Sequence, residues 1–501
     1  MKHTDIIQKL NLEQKCALLS GETVFTTRAL PGKGIPAITL SDGPNGVRKQ
    51  AGAADHLGLN PSVPATCFPT SSATACSWDE KLGEAVGEAL GEEAAAQEVA
   101  VLLGPGLNIQ RSPLCGRDFE YFSEDPILAG RMAAAYVRGI QKNGISACPK
   151  HFAVNSQELR RMASDSVLDE RTLRELYLTG FEIVVKEAKP KTIMTSYNLI
   201  NGTYANENAH LLQDILRKDW GFDGAVVTDW GGSNDHALGV KNGSTLEMPC
   251  PGGDSIRELM KAVQDGKISE ADVDARLDEM LELVLSTHAA VEKAPRTFDA
   301  AAHHKLARRA AAESIVLLRN EGGILPLKPN EKLAVIGDFA ETPRYQGAGS
   351  SAVNALQVDT LLDSIKADDS GITLVGYASG FERQGAADAE KLEEAVALAK
   401  KADTVLLCLG LDELRESEGL DRSDMKLAEN QQRLLAAVAA VNPNVVVLLS
   451  AGAPVETPWV GQCRALVYGA LGGQAGAGAA ADVLTGKLCP CGKLSQTWAQ
   501  G

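Results

Sequence analysis

The stretch that decides the fold is Gly221-Phe222-Asp223-Gly224-Ala225-Val226-Val227-Thr228-Asp229-Trp230-Gly231. Its centre is a short apolar run between glycines, a pattern that predicts a buried strand. Asp229 and Trp230 follow at the carboxyl end of that strand. Because parallel α/β folds bind ligands at the carboxyl ends of their strands, this position favours an active site. The alternative is that Asp229 only caps the next helix.

Apolar runs and helical patterns alternate through the first part of the chain. The runs are residues 35–40, 101–103, 145–148, 192–194, 225–227 and 245–248, and the helical patterns include 79–97, 127–142, 170–187, 211–218 and 269–292. This alternation is typical of a parallel sheet with crossover helices. The number of units predicts an N-terminal (β/α)8 TIM-like barrel rather than an open sheet.

A second series of runs begins after a break in the pattern at residues 293–299. Residues 303–320 are predicted to be helical, with His303 and His304 at the surface. The later runs are residues 333–336, 373–375, 404–409, 445–449 and 465–468, with alanine-rich helical patterns between some of them. They predict a parallel, doubly wound α/β sandwich. The expected domains are therefore a barrel at 1–292, a linker and connecting helix at 293–325, and the sandwich at 326–501.

The composition is that of an ordinary globular protein, with 44% hydrophobic and 23% charged residues among 501. A net charge of −16 without a basic stripe argues against nucleic-acid or anionic-membrane partners. The N-terminus lacks the apolar core of a secretory signal. No stretch approaches the roughly 20 apolar residues of a membrane helix. A cytoplasmic location is the expectation.

The sequence predicts neither a metal nor a cofactor. Its ten cysteines show no pairing pattern and are expected to be buried free thiols. Cys489-Pro490-Cys491 lacks the second half of a metal site. The glycine-rich loop at residues 346–351 does not form a nucleotide-binding fingerprint, and no phosphate-binding P-loop motif occurs.

Polar side chains recur just after the apolar runs, at what would be one rim of the barrel. They are Asp42, Arg48, Arg117, Lys150, His151, Arg161 and Tyr197. Five of them have a structural alternative: a turn for Asp42, a surface pair for Lys150 and His151, an ion pair with Glu120 or Glu124 for Arg117, and a core position for Tyr197. Charged hydrogen-bonding groups around an aromatic such as Trp230 suit a polyhydroxylated ligand.

Six separated motifs together resemble the glycoside hydrolase family 3 β-glucosidases over nearly the whole chain. They are SDGPNGVR at residues 41–48, GRDFEYFSEDP at 116–126, KHF at 150–152, VTDWG at 227–231, EGLDR at 418–422 and GGQ at 472–474, the last followed by GKL at 486–488. The resemblance implies a TIM-like barrel followed by an α/β sandwich. It also implies hydrolysis of terminal non-reducing β-D-glucosyl residues by a retaining mechanism.

The resemblance assigns a role to each candidate residue. Asp229 is expected to be the nucleophile and Glu418 the general acid/base, lent by a loop of the second domain. The sugar would be lined by Asp42, Arg48, Arg117, Lys150, His151, Arg161 and Tyr197, with Met194 and Trp230 as apolar walls and Ser350 on a closing loop. Glu413 and Glu416 are rival acids, but only Glu418 is followed by Gly-x-Asp-Arg.

A retaining mechanism requires a particular distance between the two carboxyl groups and a particular protonation state of each. Retention requires them to lie about 5–5.5 Å apart. Lys150 or Arg161 is expected to keep Asp229 ionised, while burial and a neighbouring carboxylate are expected to keep Glu418 protonated.

Several alternatives stay open at this point. A β-xylosidase, another family 3 specificity, a phosphorolytic glycosidase and a catalytically weak glycan-binding protein all fit the motifs, and a homodimer is also open. Many family members continue into a fibronectin-like domain. The sequence is thus expected to be a piece of a longer protein or a short form, with weak activity if that domain braces the acid/base loop.

Overall fold

The computed structural model describes residues 1–52, 60–249 and 252–499. The chain forms two compact units. The first contains Met1–Ala65, Glu80–Ile109 and Asp125–Phe298, and the second contains Thr66–Asp79, Gln110–Glu124 and Asp299–Gly501. These bounds differ from the predicted 1–292, 293–325 and 326–501, because two early segments and the predicted connecting helix belong to the second unit.

The strands of the first unit are short. They are β1 (Leu40–Asp42), β2 (Val101–Leu103), β3 (Ser146–Ala147), β4 (Asp165–Ser166), β5 (Thr192–Met194), β6 (Leu199–Ile200), β7 (Thr203–Tyr204) and β8 (Ala225–Val227). The order β1-β2-β3 is parallel throughout, and β5 pairs in parallel with β8. Beside them, β4, β6 and β7 form a small separate sheet.

Isolated parallel bridges extend this pairing beyond the named strands. Phe152 pairs with Thr195, and Val227 with Leu246. The predicted strand at 245–248 is thus present only as single bridges. Parallel strands in a mixed α/β layout confirm the predicted fold class, and closure into a barrel stays a prediction.

Helices of the first unit follow the predicted periodic segments closely. They are Thr4–Ile7, Leu12–Leu18, Glu80–Ala96, Pro126–Gln141, Glu170–Thr172, Leu173–Leu178, Thr179–Ile183, Val184–Ala188, His210–Asp219, His236–Asn242, Asp254–Gln264 and Glu270–Lys293, with short 3₁₀ turns at Pro31–Lys33 and Ala205–Glu207. Local capping sets several starts: Ser269 and Asp272 form a capping box, and Asp125 caps the helix that opens with Pro126.

A six-stranded sheet forms the centre of the second unit. Its strands are β9 (Val316–Asn320), β10 (Lys332–Ile336), β11 (Thr373–Ala378), β12 (Thr404–Gly410), β13 (Val445–Ser450) and β14 (Ala465–Tyr468). The order is β11-β10-β12-β13-β14-β9, and only β9 runs antiparallel to its neighbour. The core strands β12 and β14 are fully buried, as near-continuous apolar runs predict.

The helices of this unit are Ser71–Ala75, Ala300–Ser314, Leu361–Lys366, Ala389–Ala399, Glu429–Ala439 and Gly476–Leu484, with 3₁₀ turns at Asp118–Glu120, Glu321–Gly323, Asp338–Ala340 and Val460–Gln462. The longer ones pack in two separate groups, as in a doubly wound sheet. The strand order reverses between β10 and β12, so the loops after these strands lie where such sheets bind ligands. The loop after β12 carries Glu418.

The predicted helix at 303–320 is wrong in its second half. The helix Ala300–Ser314 ends there, and Val316–Asn320 pairs with Ala465–Tyr468. An apolar run rich in leucine is compatible with a helix or a strand. Residues 316–320 form a strand because they pair with the edge of β14. His303, predicted at the surface, is buried at 6% exposure.

Seven of the nine cysteines in the described residues are buried and two, Cys489 and Cys491, are exposed. The expectation of buried thiols is therefore wrong for these two. Burial raises the pKa of Cys67, Cys148 and Cys408 to about 12. No helix within the described ranges is long and apolar enough to cross a membrane.

These environments predict selective thiol labelling. Only a thiolate reacts readily with iodoacetamide, so Cys489 and Cys491 should be alkylated in the native protein near neutral pH. Cys67, Cys148 and Cys408 should be labelled only after unfolding in guanidinium. Peptide mapping by mass spectrometry checks this, and native labelling of the three buried thiols at the rate of the exposed pair would contradict it.

Candidate functional site

Asp229 lies directly beyond the carboxyl end of β8, which is fully buried. The residue is only 9% exposed. Its Oδ1 accepts a hydrogen bond of 2.8 Å from the backbone N–H of Trp230. Its Oδ2 lies 3.6 Å from Nε2 of His151. The carboxylate is thus oriented by the chain that follows it and faces an imidazole, two contacts that stabilise its ionised form when His151 is protonated.

Asn108 holds His151 in place through both atoms of its amide. Oδ1 accepts from the N–H of His151, and Nδ2 donates to its carbonyl, each at 2.9 Å. The N–H of Leu107 donates to the carbonyl of Lys150 at 2.8 Å. Lys150 and His151 are buried at 2% and 1% exposure, so the surface-pair alternative is wrong. The role of Asn108 was not predicted, because its only signal in the sequence is its place in the Gly-rich segment before Arg117.

Tyr197 and Trp230 form one wall beside Asp229. The hydroxyl of Tyr197 donates to the carbonyl of Trp230 at 2.8 Å, and the indole N–H donates to Val24 at 2.7 Å. The guanidinium of Arg161 stacks 4.9 Å above the Tyr197 ring. Arg161 also donates to the buried Glu158 at 2.7 Å. Arg161 is thus ion-paired with Glu158, and the imidazole of His151 lies beside Asp229.

Two further predicted residues of the first unit, Asp42 and Met194, also lie at strand ends. Asp42 ends β1 and is half-buried, and its carbonyl accepts from the N–H of Arg48 at 2.9 Å. Met194 ends β5 and is buried, next to β8 in the sheet. The recurrence of these side chains at the carboxyl ends of parallel strands is the arrangement that the sequence predicted.

Arg117, Ser350 and Glu418 meet in the second unit. Oε2 of Glu418 accepts from the backbone N–H of Ser350 at 2.7 Å, and Oε1 lies 3.5 Å from Nη1 of Arg117. Arg117 is buried and also forms an ion pair with Glu120 at 2.7 Å. The predicted ion pair with Glu120 is present, but it is buried rather than exposed.

Within the second unit, the Glu418 carboxylate contacts a guanidinium and a backbone N–H. Its side chain is 18% exposed, and both Arg117 and the Ser350 N–H stabilise the carboxylate form. Arg117 contacts both Glu418 and Glu120.

The two rival acids on the same loop have structural partners. Glu416 is buried at 1% exposure. It accepts from the N–H of Gly452 at 3.0 Å and faces Arg344 at 3.5 Å. Glu413 forms an ion pair with Arg383 at 3.0 Å. These contacts give Glu416 and Glu413 structural roles, so neither residue requires a catalytic role to account for its position.

Close packing around Gly116 fixes the Glu418 loop. A Cβ at Gly116 would lie 1.6 Å from the carbonyl oxygen of Leu420, and the N–H of Gly116 donates to Asp421 at 3.1 Å. Gly349 has φ of +115°, and a Cβ there would lie 2.4 Å from Cβ of Glu418. The Glu418 loop therefore packs so closely against Gly116 and Gly349 that neither position has room for a side chain.

Gly116→Ala is expected to lower the free energy of unfolding by about 1–3 kcal/mol, because the added methyl group forces the backbone of the loop apart. Gly461→Ala is the matched control, since a Cβ there meets no atom within 4 Å. Denaturant unfolding of both variants checks the prediction. Equal stability of the two variants would show that the loop yields without cost.

Models of known protein families match both parts of the chain. Residues 49–283 match the Glycosyl hydrolase family 3 N terminal domain, and residues 315–501 match the Glycosyl hydrolase family 3 C-terminal domain. The chain belongs to glycosyl hydrolase family 3. The resemblance seen in the six sequence motifs is thereby confirmed.

Two family 3 enzymes are similar to this chain in sequence over nearly its whole length. Thermostable beta-glucosidase B of Acetivibrio thermocellus is 46% identical over 98% of this chain and 65% of its own length. An exo-alpha-(1->6)-L-arabinopyranosidase of Bifidobacterium longum is 44% identical over 98% of this chain and 66% of its own length. The chain thus spans slightly less than two thirds of the length of these curated relatives.

Solved family 3 structures share the fold. The GH3 beta-glucosidase of Bifidobacterium adolescentis has a TM-score of 0.93 at 43% identity, covering 99% of this chain and 71% of that one. Beta-glucosidase 3B of Thermotoga neapolitana, in complex with alpha-D-glucose, has a TM-score of 0.91 at 33% identity, covering 100% and 76%.

Proposed function

We propose that this chain is an exo-acting β-glucosidase that removes terminal non-reducing β-D-glucosyl residues with retention of anomeric configuration. The observation that carries the proposal is the buried Asp229 carboxylate, held by the Trp230 N–H and facing His151 at the carboxyl end of β8. The names of the beta-glucosidase relatives support the same substrate class.

In the first step, Asp229 attacks the anomeric carbon while Glu418 donates a proton to the glycosidic oxygen. The bond between the anomeric carbon and that oxygen breaks, the aglycone leaves with the proton, and a glycosyl ester forms on Asp229. Retention by this route requires the two carboxyl groups to come within about 5–5.5 Å. The hydrogen bond from the Trp230 N–H supports Asp229 as the nucleophile, because it fixes the orientation of the carboxylate.

In the second step, Glu418 takes a proton from water, and the water oxygen attacks the anomeric carbon. The ester bond to Asp229 breaks and the sugar leaves with its original configuration. The Arg117 and Ser350 contacts support this step, because they stabilise the carboxylate that acts as the base.

The remaining predicted residues are proposed to bind the sugar. Hydroxyl groups would be held by Asp42, Arg48, Arg117, Lys150, His151, Arg161 and Tyr197, the apolar face would pack on Met194 and Trp230, and Ser350 would close over the ring. Charged and aromatic groups in this mixture are typical of sugar sites. A cytoplasmic location and a homodimer stay predictions.

A second candidate specificity is the release of α-L-arabinopyranosyl residues. It is favoured by the name of the Bifidobacterium longum relative. Both candidates would use Asp229 and Glu418 as catalytic residues.

A panel of aryl glycosides tests these proposals. Aryl β-glucoside, β-xyloside and α-L-arabinopyranoside are compared by kcat/KM, with and without phosphate, and the first-formed anomer is followed by NMR. The highest kcat/KM on the glucoside with a β-glucose product supports the main proposal. An α-glucose product contradicts retention, dependence on phosphate indicates a phosphorolytic enzyme, and binding without turnover indicates a glycan-binding protein.

A further inference from the structure

Glu207 is a buried carboxylate that the proposed mechanism does not use. It lies in a short 3₁₀ turn and is 4% exposed. Its Oε1 accepts from the N–H groups of Asn234 at 2.9 Å and Asp235 at 3.2 Å. Its carbonyl accepts from the side chain of Asn242 at 2.7 Å. One residue thus holds both ends of the helix His236–Asn242.

The chain from Asp229 to that helix is held at its other end by separate bonds. The carbonyl of Asp229 accepts from the N–H of Gly232, and the N–H of Gly231 donates to Met248, each at 2.8 Å. Gly231 has φ of +80°, a conformation that glycine adopts without strain. The bonds from Asn234 to Glu207 complete the set, so the whole turn after Asp229 is defined by hydrogen bonds at both ends.

Burial of the charged Glu207 carboxylate is energetically unfavourable. It raises the pKa of Glu207, and no cationic side chain pairs with Glu207 among the described residues. Its other oxygen, Oε2, is buried and has no hydrogen-bond partner within the same part of the chain. The cost of burying the charge is offset by two charge-assisted hydrogen bonds from backbone N–H groups, which are stronger than bonds between neutral groups.

Asn206 ties the same turn to the strand that precedes it. Its Oδ1 accepts from the hydroxyls of Thr195 at 3.2 Å and Ser244 at 2.7 Å. Thr195 follows β5 directly and pairs with Phe152. The carboxylate of Glu207 therefore projects from a turn that is itself anchored beside the predicted sugar site.

We infer that Glu207 is a positioning residue, which sets the place of Trp230 and Asp229 by fixing the turn at residues 231–235. The inference rests on the proposed function for its catalytic consequence. Glu207 touches neither the sugar nor the reacting atoms in this assignment. It acts through the backbone that carries the nucleophile and the apolar wall.

Kinetics of two variants test the consequence. Glu207→Ala removes the acceptor, and we expect kcat/KM for an aryl β-glucoside to fall about 10- to 100-fold, since small displacements of reacting groups have effects of this size. Glu207→Gln keeps a neutral oxygen acceptor and is expected to lose no more than about 5-fold. A glutamine variant as impaired as the alanine variant would overturn the geometric role, as would an alanine variant with wild-type kinetics.

Hydrogen exchange tests the positioning without any turnover. In Glu207→Ala, the amide hydrogens of Asn234 and Asp235 should exchange about 10-fold faster or more, because each loses its acceptor. If the wild type hydrolyses none of the glycosides, the proposed function fails, while this exchange result still decides the inference. Unchanged exchange at both amides would overturn it.

Glu279→Ala is the matched control for a structural effect. Glu279 is a largely buried carboxylate of the same unit that accepts from Thr245 at 2.7 Å and pairs with Arg276 at 2.7 Å. Its removal should lower the melting temperature yet leave kcat/KM of the folded enzyme within about 3-fold of wild type. If it accelerates exchange at Asn234 as much as Glu207→Ala does, the effect is general destabilisation and the inference fails.

Discussion

Replacing Asp229 by alanine is expected to reduce kcat for an aryl β-glucoside by a factor on the order of 10⁴ or more, the size of effect seen when a covalent nucleophile is removed. No other carboxylate accepts from the Trp230 N–H at the end of β8 among the described residues. Steady-state release of nitrophenol measures the loss. Unchanged melting temperature shows that the variant is folded.

Covalent trapping gives the same prediction a second readout. A 2-deoxy-2-fluoro-β-glucoside with a good leaving group should label wild-type protein, and peptide mapping should place the sugar on Asp229. Asp223→Ala is the matched control, because Asp223 is an exposed aspartate of the same stretch. Labelling of any other carboxylate, or equal losses in the two variants, would contradict the assignment.

Glu418→Ala is expected to reduce kcat about 10²- to 10⁴-fold for substrates with poor leaving groups, the range typical of a general acid/base. A dinitrophenyl glucoside needs little proton donation, so its first step should be much less affected. Azide should restore part of the turnover, because it attacks the glycosyl ester without a base. The product expected by NMR is the β-glucosyl azide.

Glu416→Ala separates this role from loop structure. Its loss leaves the N–H of Gly452 and the buried Arg344 without their carboxylate partner, so a lower melting temperature is expected. Azide should restore nothing in this variant. Rescue of Glu416→Ala together with no rescue of Glu418→Ala would move the acid/base role to Glu416.

Local patterns predicted four strands with their observed bounds, whereas the run at 35–40 shares only Leu40 with β1. Residues 101–103, 192–194, 225–227 and 465–468 form strands with the predicted bounds, because each is a compact apolar run whose burial outweighs other conformations. The run at 316–320 was assigned to a helix. Its conformation depends on pairing with β14, a partner far along the chain that no local pattern reveals.

The residues of the candidate site also divide into some that the sequence predicted and some that it did not. Those with charged or aromatic side chains just after strands, such as Asp229 and His151, were predictable from their position. Asn108 and Glu207 were missed, since their roles lie in hydrogen bonds to distant backbone groups. An amide or carboxylate in a loop has no sequence signature that names such a partner.

By itself, the sequence determined most of the strands and helices, the family and the identity of the candidate carboxylates, because these follow from apolar periodicity and short motifs. Only the tertiary structure decided which carboxylates have structural partners, which imidazole lies beside Asp229 and which unit contains residues 66–79 and 110–124. The reason is physical: burial and hydrogen bonding at these positions come from segments far apart in the chain, and their free energies exist only once those segments are packed together.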